Sequence, residues 1–285
     1  MRRSAKRSIK HFGISSSSRL HLALSPDYIA GKMLILRALI ADCELTFESP
    51  SSSPLSEANT NDKEITLISL VGSQLQGLYQ RLQQGSLPPI RHLLLGGAPL
   101  NDTMRQMAAN GPWQAWESYG MTETASHVAL RRITSSTQPF EALPGISFCL
   151  DDDNCLCINL AEDGIIKTND IATLYDSTHF DILGRKDNVI ITGALKVFPE
   201  EVEAIIAPYI ASRRFYITSR PSQKWGNELI LIIEGDEIPI PDFHNIPQLK
   251  PHQRPKSVLF VPKLSLTSTG KIIRTSYAEL PTVKS

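Results

Sequence analysis

Short apolar runs recur along the chain and alternate with amphipathic stretches. The runs predict strands at Leu20–Ser25, Ile65–Leu70, His92–Leu95, Cys155–Leu160, Phe215–Ser219, Leu229–Ile233 and Val258–Val261. Several are apolar at consecutive positions, the pattern of strands covered on both faces. Helical spacing appears between them. Leu100, Met104, Met107 and Ala108 share one helical face, with Gly111 as the expected C-terminal stop. A second helix is predicted from Pro199, with Glu200 and Glu201 in the first turn, where the helix dipole favours acids, and with Pro208 ending it. Val202, Ile205 and Ile206 form its apolar stripe. The alternation predicts an α/β protein. Pro50–Asn61 reads as a surface loop, and Pro239–Pro255, with five prolines, as an irregular connector. A domain boundary is expected near Asp181–Asp187.

The chain has 285 residues, with 29 basic against 29 acidic side chains, 41% hydrophobic and 20% charged residues. That balance excludes wholesale disorder and gives no bulk electrostatic case for a nucleic-acid partner. No integral membrane segment is predicted, since the best apolar window, Leu34–Ala41, is short and contains Arg37. Cys149, Cys155 and Cys157 are expected as reduced, half-buried strand residues, because no second Cys or His group has zinc spacing. This favours a cytoplasmic location. The first 26 residues hold Arg2, Arg3, Lys6, Arg7, Lys10 and Arg19 with seven serines and no acid. They can be read as an organellar presequence, or as a helix of the fold followed by the first strand.

Five segments carry candidate chemistry. Leu93–Pro99 is a buried strand running into Gly96-Gly97-Ala98, where backbone can approach a flat or phosphorylated ligand. Ser118-Tyr119-Gly120-Met121-Thr122-Glu123-Thr124-Ala125 puts a ring, a hydroxyl and a carboxylate at a strand exit. Such a hydroxyl can donate to phosphate, and such a carboxylate suits a hard cation. Lys167-Thr168-Asn169-Asp170 places an acid just after a strand, where it can accept from ribose hydroxyls. Gly184-Arg185-Lys186-Asp187-Asn188 leads on to Gly193 and Pro199. Near the end, Ser268-Thr269-Gly270-Lys271-Ile272-Ile273-Arg274 offers a lysine on a loop.

In this order and approximate spacing, the segments resemble the acyl-adenylate-forming ligase superfamily over essentially the whole chain. Within it the chain looks most like the o-succinylbenzoate–CoA ligases of menaquinone synthesis, on Tyr28–Met33, Ser118–Ser126, Ala142–Gly145, Thr168–Asp170 and Lys196–Glu201. The resemblance implies a large α/β adenylate-forming domain, present in part over residues 1–184. A hinge would join it to a small mobile α+β domain over residues 185–285. It implies ATP, Mg²⁺ and coenzyme A. A carboxylate would attack the α-phosphorus of ATP, and the CoA thiol would then displace AMP. By motif match, Lys271 would bridge carboxylate and α-phosphate before its domain swings away, Thr122 would contact the α-phosphate, and Glu123 would bind Mg²⁺. Gly97, Ala98, Pro99 and Tyr119 would line the adenine, and Asp170 and Arg185 the ribose. Asp187 matches the hinge. Gly193 matches the loop that reaches the thioester site, although Ala194-Leu195 follows where relatives often have another glycine. The acid would lie near Tyr28, Gly31, Ser118 and Gly120, with Lys32 or Arg37 favouring its second carboxylate. The family's Ser/Thr/Gly-rich phosphate loop ending in Pro-Lys has no counterpart, so the chain is expected to begin inside the large domain, with Met1–Phe12 an internal helix. A ligase for another aryl or acyl acid, or a non-catalytic nucleotide-binding remnant, are the alternative readings.

Overall fold

The computed structural model describes residues 1–57, 63–161, 163–210, 213–267 and 271–275. The chain forms two compact units. The first comprises Met1–Cys149, Cys157–Lys167 and Leu174–Asp181, and the second comprises Leu150–Leu156, Thr168–Thr173 and Ile182–Ser285.

The first unit opens with α1 (Arg2–Phe12), β1 (Arg19–Leu22), α2 (Ile29–Ala41) and β2 (Glu44–Phe47). It continues through β3 (Ile65–Val71), α3 (Gly72–Gln83), β4 (Ile90–Gly96), α4 (Asp102–Ala109), β5 (Gln114–Gly120), β6 (His127–Arg132) and β7 (Phe140–Ala142). The strands β8 (Ser147–Leu150), β9 (Cys155–Asn159), β10 (Ile165–Leu174) and β11 (His179–Arg185) follow, and each runs across the boundary of the units along the chain. The sheet order is β2-β1-β3-β4-β5-β6-β7-β11-β10-β9-β8. From β2 to β5 the ladder is parallel, and from β5 to β11 it reverses at each step.

Helices cover both faces of the parallel part. Leu75 and Leu78 of α3 and Ala108 of α4 join Ile68, Leu93, Leu95 and Ala115 in one core. On the opposite face, the Phe12 ring of α1 lies 5.3 Å from His92 of β4 and 6.1 Å from Trp116 of β5. This explains the consecutive burial of β3 and β4. The basic, serine-rich start folds as α1, which buries Ser4, Ala5, Ser8 and Phe12 and ends on Gly13 with φ 61°.

The second unit continues from the charged turn at residues 186–188 through β12 (Ile190–Thr192), β13 (Leu195–Val197) and α5 (Pro199–Ile206) to β14 (Phe215–Ser222), β15 (Gly226–Glu234) and β16 (Ser257–Val261). Strand β15 lies between β14, antiparallel, and β16, parallel. Successive residues of Leu229–Ile233 alternate between two cores. Leu229, Leu231 and Ile233 join Val202 and Ile206 of α5, whereas Ile230 and Ile232 join Tyr216, Val261 and Leu264.

Three expectations change. Helix α4 stops at Ala109 on Asn110, and Gly111 serves the Trp113 ring instead: a Cβ there would lie 2.1 Å from the indole. The loop after Pro50 sends Leu55 into the core, and the proline-rich connector buries Phe243, Ile246 and Leu249. Of the clustered cysteines, Cys155 and Cys157 are buried and Cys149 is exposed. Residues 58–61 of the first loop lie outside the described residues.

Packing against α1 has an electrostatic consequence. His92 is 8% exposed, and burial, helped by the guanidiniums of Arg91 and Arg132, pushes its imidazole down to about 4. Above the ordinary histidine pKa the group is neutral in both folded and unfolded chains. Below it, the unfolded chain takes up the proton first, so stability falls as pH drops toward 4. The urea midpoint is expected to fall between pH 7 and pH 4.5, with about 1–2 kcal/mol of that loss due to His92. A His92→Leu variant should lose correspondingly less stability over the same range.

Candidate functional site

Strands β1, β3, β4 and β5 are parallel, so their carboxyl ends share one edge of the sheet, where open α/β sheets bind ligands. The predicted nucleotide residues of the first unit collect there. Gly97, at φ 91°, turns the chain out of β4, and Ala98 and Pro99 follow it as exposed residues. Ser118 of β5 donates its hydroxyl to the Leu95 carbonyl at 3.0 Å, tying the two strand ends together. Tyr119 is half-buried, its ring edge-on to Phe180 at 5.1 Å. On the same edge, Tyr28 caps α2, and Gly31 packs against the Ser25 carbonyl.

The turn from Gly120 to His127 is closed by one hydroxyl. Thr124 Oγ1 accepts from the Met121 N–H at 3.0 Å, and its one hydrogen is shared between the carbonyls of Ser126 and Met121 at 2.7 and 2.9 Å. Thr124 is thereby buried while Thr122 and Glu123 stay exposed. Glu123 lines a cavity of about 430 Å³ together with Thr124, Arg2, Arg3, Arg7 and Asp163. Arg3 pairs with Asp163 at 3.1 Å. The three arginines of α1 were not among the predicted site residues, since their run reads in sequence as a presequence or a helix of the fold.

Behind this turn lies Arg37 of α2, 2% exposed. It donates to Ser126 Oγ at 2.8 Å, and its Nε has no hydrogen-bond partner among the described residues. Among the described residues no carboxylate pairs with it. Burial pushes its guanidinium down to about 10, so it keeps its charge at neutral pH. Lys32, the alternative cation, is exposed. His127, which sequence reasoning passed over, is also buried beside Ser126.

In the second unit, Arg185 donates to Asp170 at 3.1 Å and to Asp187 at 3.0 Å, and Asn169 donates to Asp187 at 3.2 Å. The predicted ribose pair and the predicted hinge residue thus form one network. Gly193 donates its N–H to the Trp225 carbonyl at 2.8 Å, and a Cβ on it would meet the Trp225 ring at 2.9 Å. Trp225, 42% exposed, had no sequence signal beyond its aromatic character. Lys271 is exposed, and its backbone is fixed to Thr267 by paired bonds of 2.8 and 3.0 Å. Arg274 of the same segment is anchored to both carboxylate oxygens of Glu203 on α5. Ser268, Thr269 and Gly270 of the predicted loop lie outside the described residues.

A model of the AMP-binding enzyme family matches residues 2–154, more than half of the chain, and the chain belongs to that family. It is 26% identical over 303 residues to the 2-succinylbenzoate–CoA ligase of Listeria monocytogenes, covering 97% of this chain and 64% of that enzyme. The chain therefore spans about two thirds or less of the length of such relatives. Among solved structures, an acyl-CoA synthetase (AMP-forming)/AMP-acid ligase II-like protein from Dyadobacter fermentans is 28% identical, with a TM-score of 0.61 over 95% of this chain and 80% of that one. The o-succinylbenzoate CoA synthetase of Bacillus subtilis, in complex with its acyl-adenylate intermediate, shares the fold at 21% identity. Its TM-score is 0.84 over 99% of this chain and 64% of that one. Among the described residues, no helix is long and apolar enough to cross a membrane.

The loop carrying Gly193 has a testable cost. Gly193 and Ala194 join β12 to β13 with φ 54° and 66°, the left-handed geometry of a two-residue hairpin turn. Alanine is strained there, so Ala194→Gly is expected to raise stability by about 1 kcal/mol in chemical denaturation.

Proposed function

We propose that the protein is an ATP-dependent acid–CoA ligase whose acid is a dicarboxylate of the 2-succinylbenzoate type, acting in menaquinone synthesis in the cytoplasm. The observation that carries the substrate class is Arg37. An isolated guanidinium held out of water costs several kcal/mol, and among the described residues no acid pairs with it. A second carboxylate on the substrate supplies the missing partner. Activation of one carboxylate leaves the other available for this bond, which a monocarboxylic acid cannot make.

In this reading residues 1–184 act as the large domain, residues 185–285 as the small one, and Asp187 as the hinge. One carboxylate oxygen of the acid attacks the α-phosphorus of ATP, and pyrophosphate leaves. The CoA thiolate then attacks the acyl carbon, and AMP leaves. Negative charge builds on the phosphates in the first step, so catalysis is chiefly positioning and charge stabilisation. Thr122 donates to the α-phosphate, and Lys271 holds the attacking carboxylate against it. Gly97, Ala98, Pro99 and Tyr119 form the adenine wall, and the Asp170–Arg185 pair orients the ribose. Tyr28, Gly31, Ser118 and Gly120 shape the acid site, and Gly193 serves the thioester step. The cavity beside Glu123 carries hard oxygen donors and guanidiniums together, which fits a magnesium–polyphosphate. Glu123 would hold the Mg²⁺, which when bound neutralises charge on the phosphates.

Two experiments test the reading in the protein as its source cells make it. Lys271→Ala should slow acid-dependent ATP–pyrophosphate exchange about 10²–10³-fold while sparing thioester formation from supplied acyl-adenylate. Equal loss of both steps would remove Lys271 from the assigned role. Arg37→Met should raise KM for 2-succinylbenzoate about tenfold to a hundredfold, the worth of a charged hydrogen bond. It should leave the analogue lacking the ring carboxylate unaffected. If the wild-type protein activates both acids equally well, its substrate is another aryl or acyl acid.

A further inference from the structure

Arg37 ends a chain of polar groups that runs back into α1. Its guanidinium donates to Ser126 Oγ at 2.8 Å. Ser126 Oγ lies 3.3 Å from His127 Nδ1, and His127 Nε2 lies 2.9 Å from Ser8 Oγ. Ser8 in turn donates to the Ser4 carbonyl at 3.3 Å, within its own helix. One placement of hydrogens satisfies every contact. The Ser8 hydrogen goes to Ser4, so the imidazole donates through Nε2–H to Ser8 Oγ. Nδ1 then carries a lone pair and takes the Ser126 hydrogen. The Ser126 oxygen is left with its lone pairs for Arg37.

The arrangement depends on a neutral imidazole. A second ring N–H would compete with Arg37 for the Ser126 oxygen and bury two cations side by side. Burial, with the positive charges of Arg37 and His11, holds His127 well below the usual histidine range. The Phe12 ring lies 6.3 Å from the imidazole and helps to exclude water from it.

We propose that His127 is a positioning residue. Through Ser126 it fixes the guanidinium of Arg37 in the orientation that receives the second carboxylate of the acid. The proposal rests on the reading of Arg37 given above. His127 does not touch the substrate. It reduces the rotamer freedom that Arg37 must lose on binding.

The test uses the full natural protein and two acids, 2-succinylbenzoate and its analogue without the ring carboxylate. His127→Phe should raise KM for the dicarboxylate about tenfold, leave its kcat within about twofold, and leave both constants for the analogue unchanged. His127→Asn, whose side-chain oxygen can stand near the position of Nδ1, should recover most of the loss. In an Arg37→Met background, His127→Phe should have no further effect on the choice between acids. Nitrogen NMR of the unsubstituted protein at pH 7 should show His127 neutral and protonated on Nε2. An Nδ1–H tautomer or an imidazolium would overturn the relay without any measurement of activity. Equal damage to both acids by His127→Phe would also overturn it, since that is the mark of a packing role. The two readings separate cleanly. If Arg37→Met leaves the preference between acids unchanged, the reading of Arg37 fails and the relay with it. If Arg37→Met changes the preference and His127→Phe does not, only the relay fails.

Discussion

The hydroxyl of Thr124 sits at the point where the parallel part of the sheet gives way to antiparallel strands. Strand β5 has to reverse into β6 within a few residues, and Thr124 closes that reversal with contacts to Met121 and Ser126. A loop closed this tightly sends its alternate residues in opposite directions. Thr122 and Glu123 are left exposed, Glu123 on the cavity, while Ser126 and His127 lie toward Arg37. The exposed and the inward-facing groups of this segment are therefore set by one turn. The close approach is severe enough that a Cβ on Gly120 would lie 2.4 Å from the Ser126 carbonyl oxygen. Gly120 and Thr124 thus hold the conformation of the motif.

Much of the fold was legible because burial on both faces leaves a simple trace. Leu93–Leu95 and Leu229–Ile233 are apolar at every position since each face packs on its own core. Helix α1 left almost no such trace. Its buried face is Ser4, Ala5, Ser8 and Phe12, which is nearly polar by composition, and its exposed face is basic. Composition alone therefore allowed a presequence. The connector after Pro239 was legible as irregular backbone, whereas its burial was not. Its prolines mark irregular backbone correctly, but irregular backbone can still bury Phe243, Ile246 and Leu249.

The site divides along the same line. Residues within short motifs, such as Thr122, Glu123, Asp170 and Arg185, could be nominated from their neighbours, because each segment is local in sequence. Arg37 could be weighed only beside Lys32, and burial distinguishes them. His127 had no signal of its own. Its partner Ser8 lies 119 positions away on another element, and no periodicity connects the two. Trp225 is the same case in the second unit, meeting Gly193 through a fold that sequence spacing does not encode. What stays hidden is the pairing of polar groups across elements, which follows from three-dimensional packing alone.

The charge balance makes the same point in energetic terms. Basic and acidic residues number 29 each, so the chain as a whole has no net attraction for an anion. The local distribution is far from neutral. Arg2, Arg3 and Arg7 line one cavity, and Arg37 is buried with the Ser126 hydroxyl as its hydrogen-bond partner. Elsewhere the first unit pairs half-buried guanidiniums with acids: Arg105 and Arg131 both bond to Glu117, and Arg131 also reaches Asp181. The contrast matters, because the same stretch of sheet supplied acids for those cations. An apolar side chain in place of Arg37 would avoid the desolvation cost entirely. Arg37 is the one arginine buried outright among the described residues, and its hydrogen-bond partner is the Ser126 hydroxyl rather than a carboxylate.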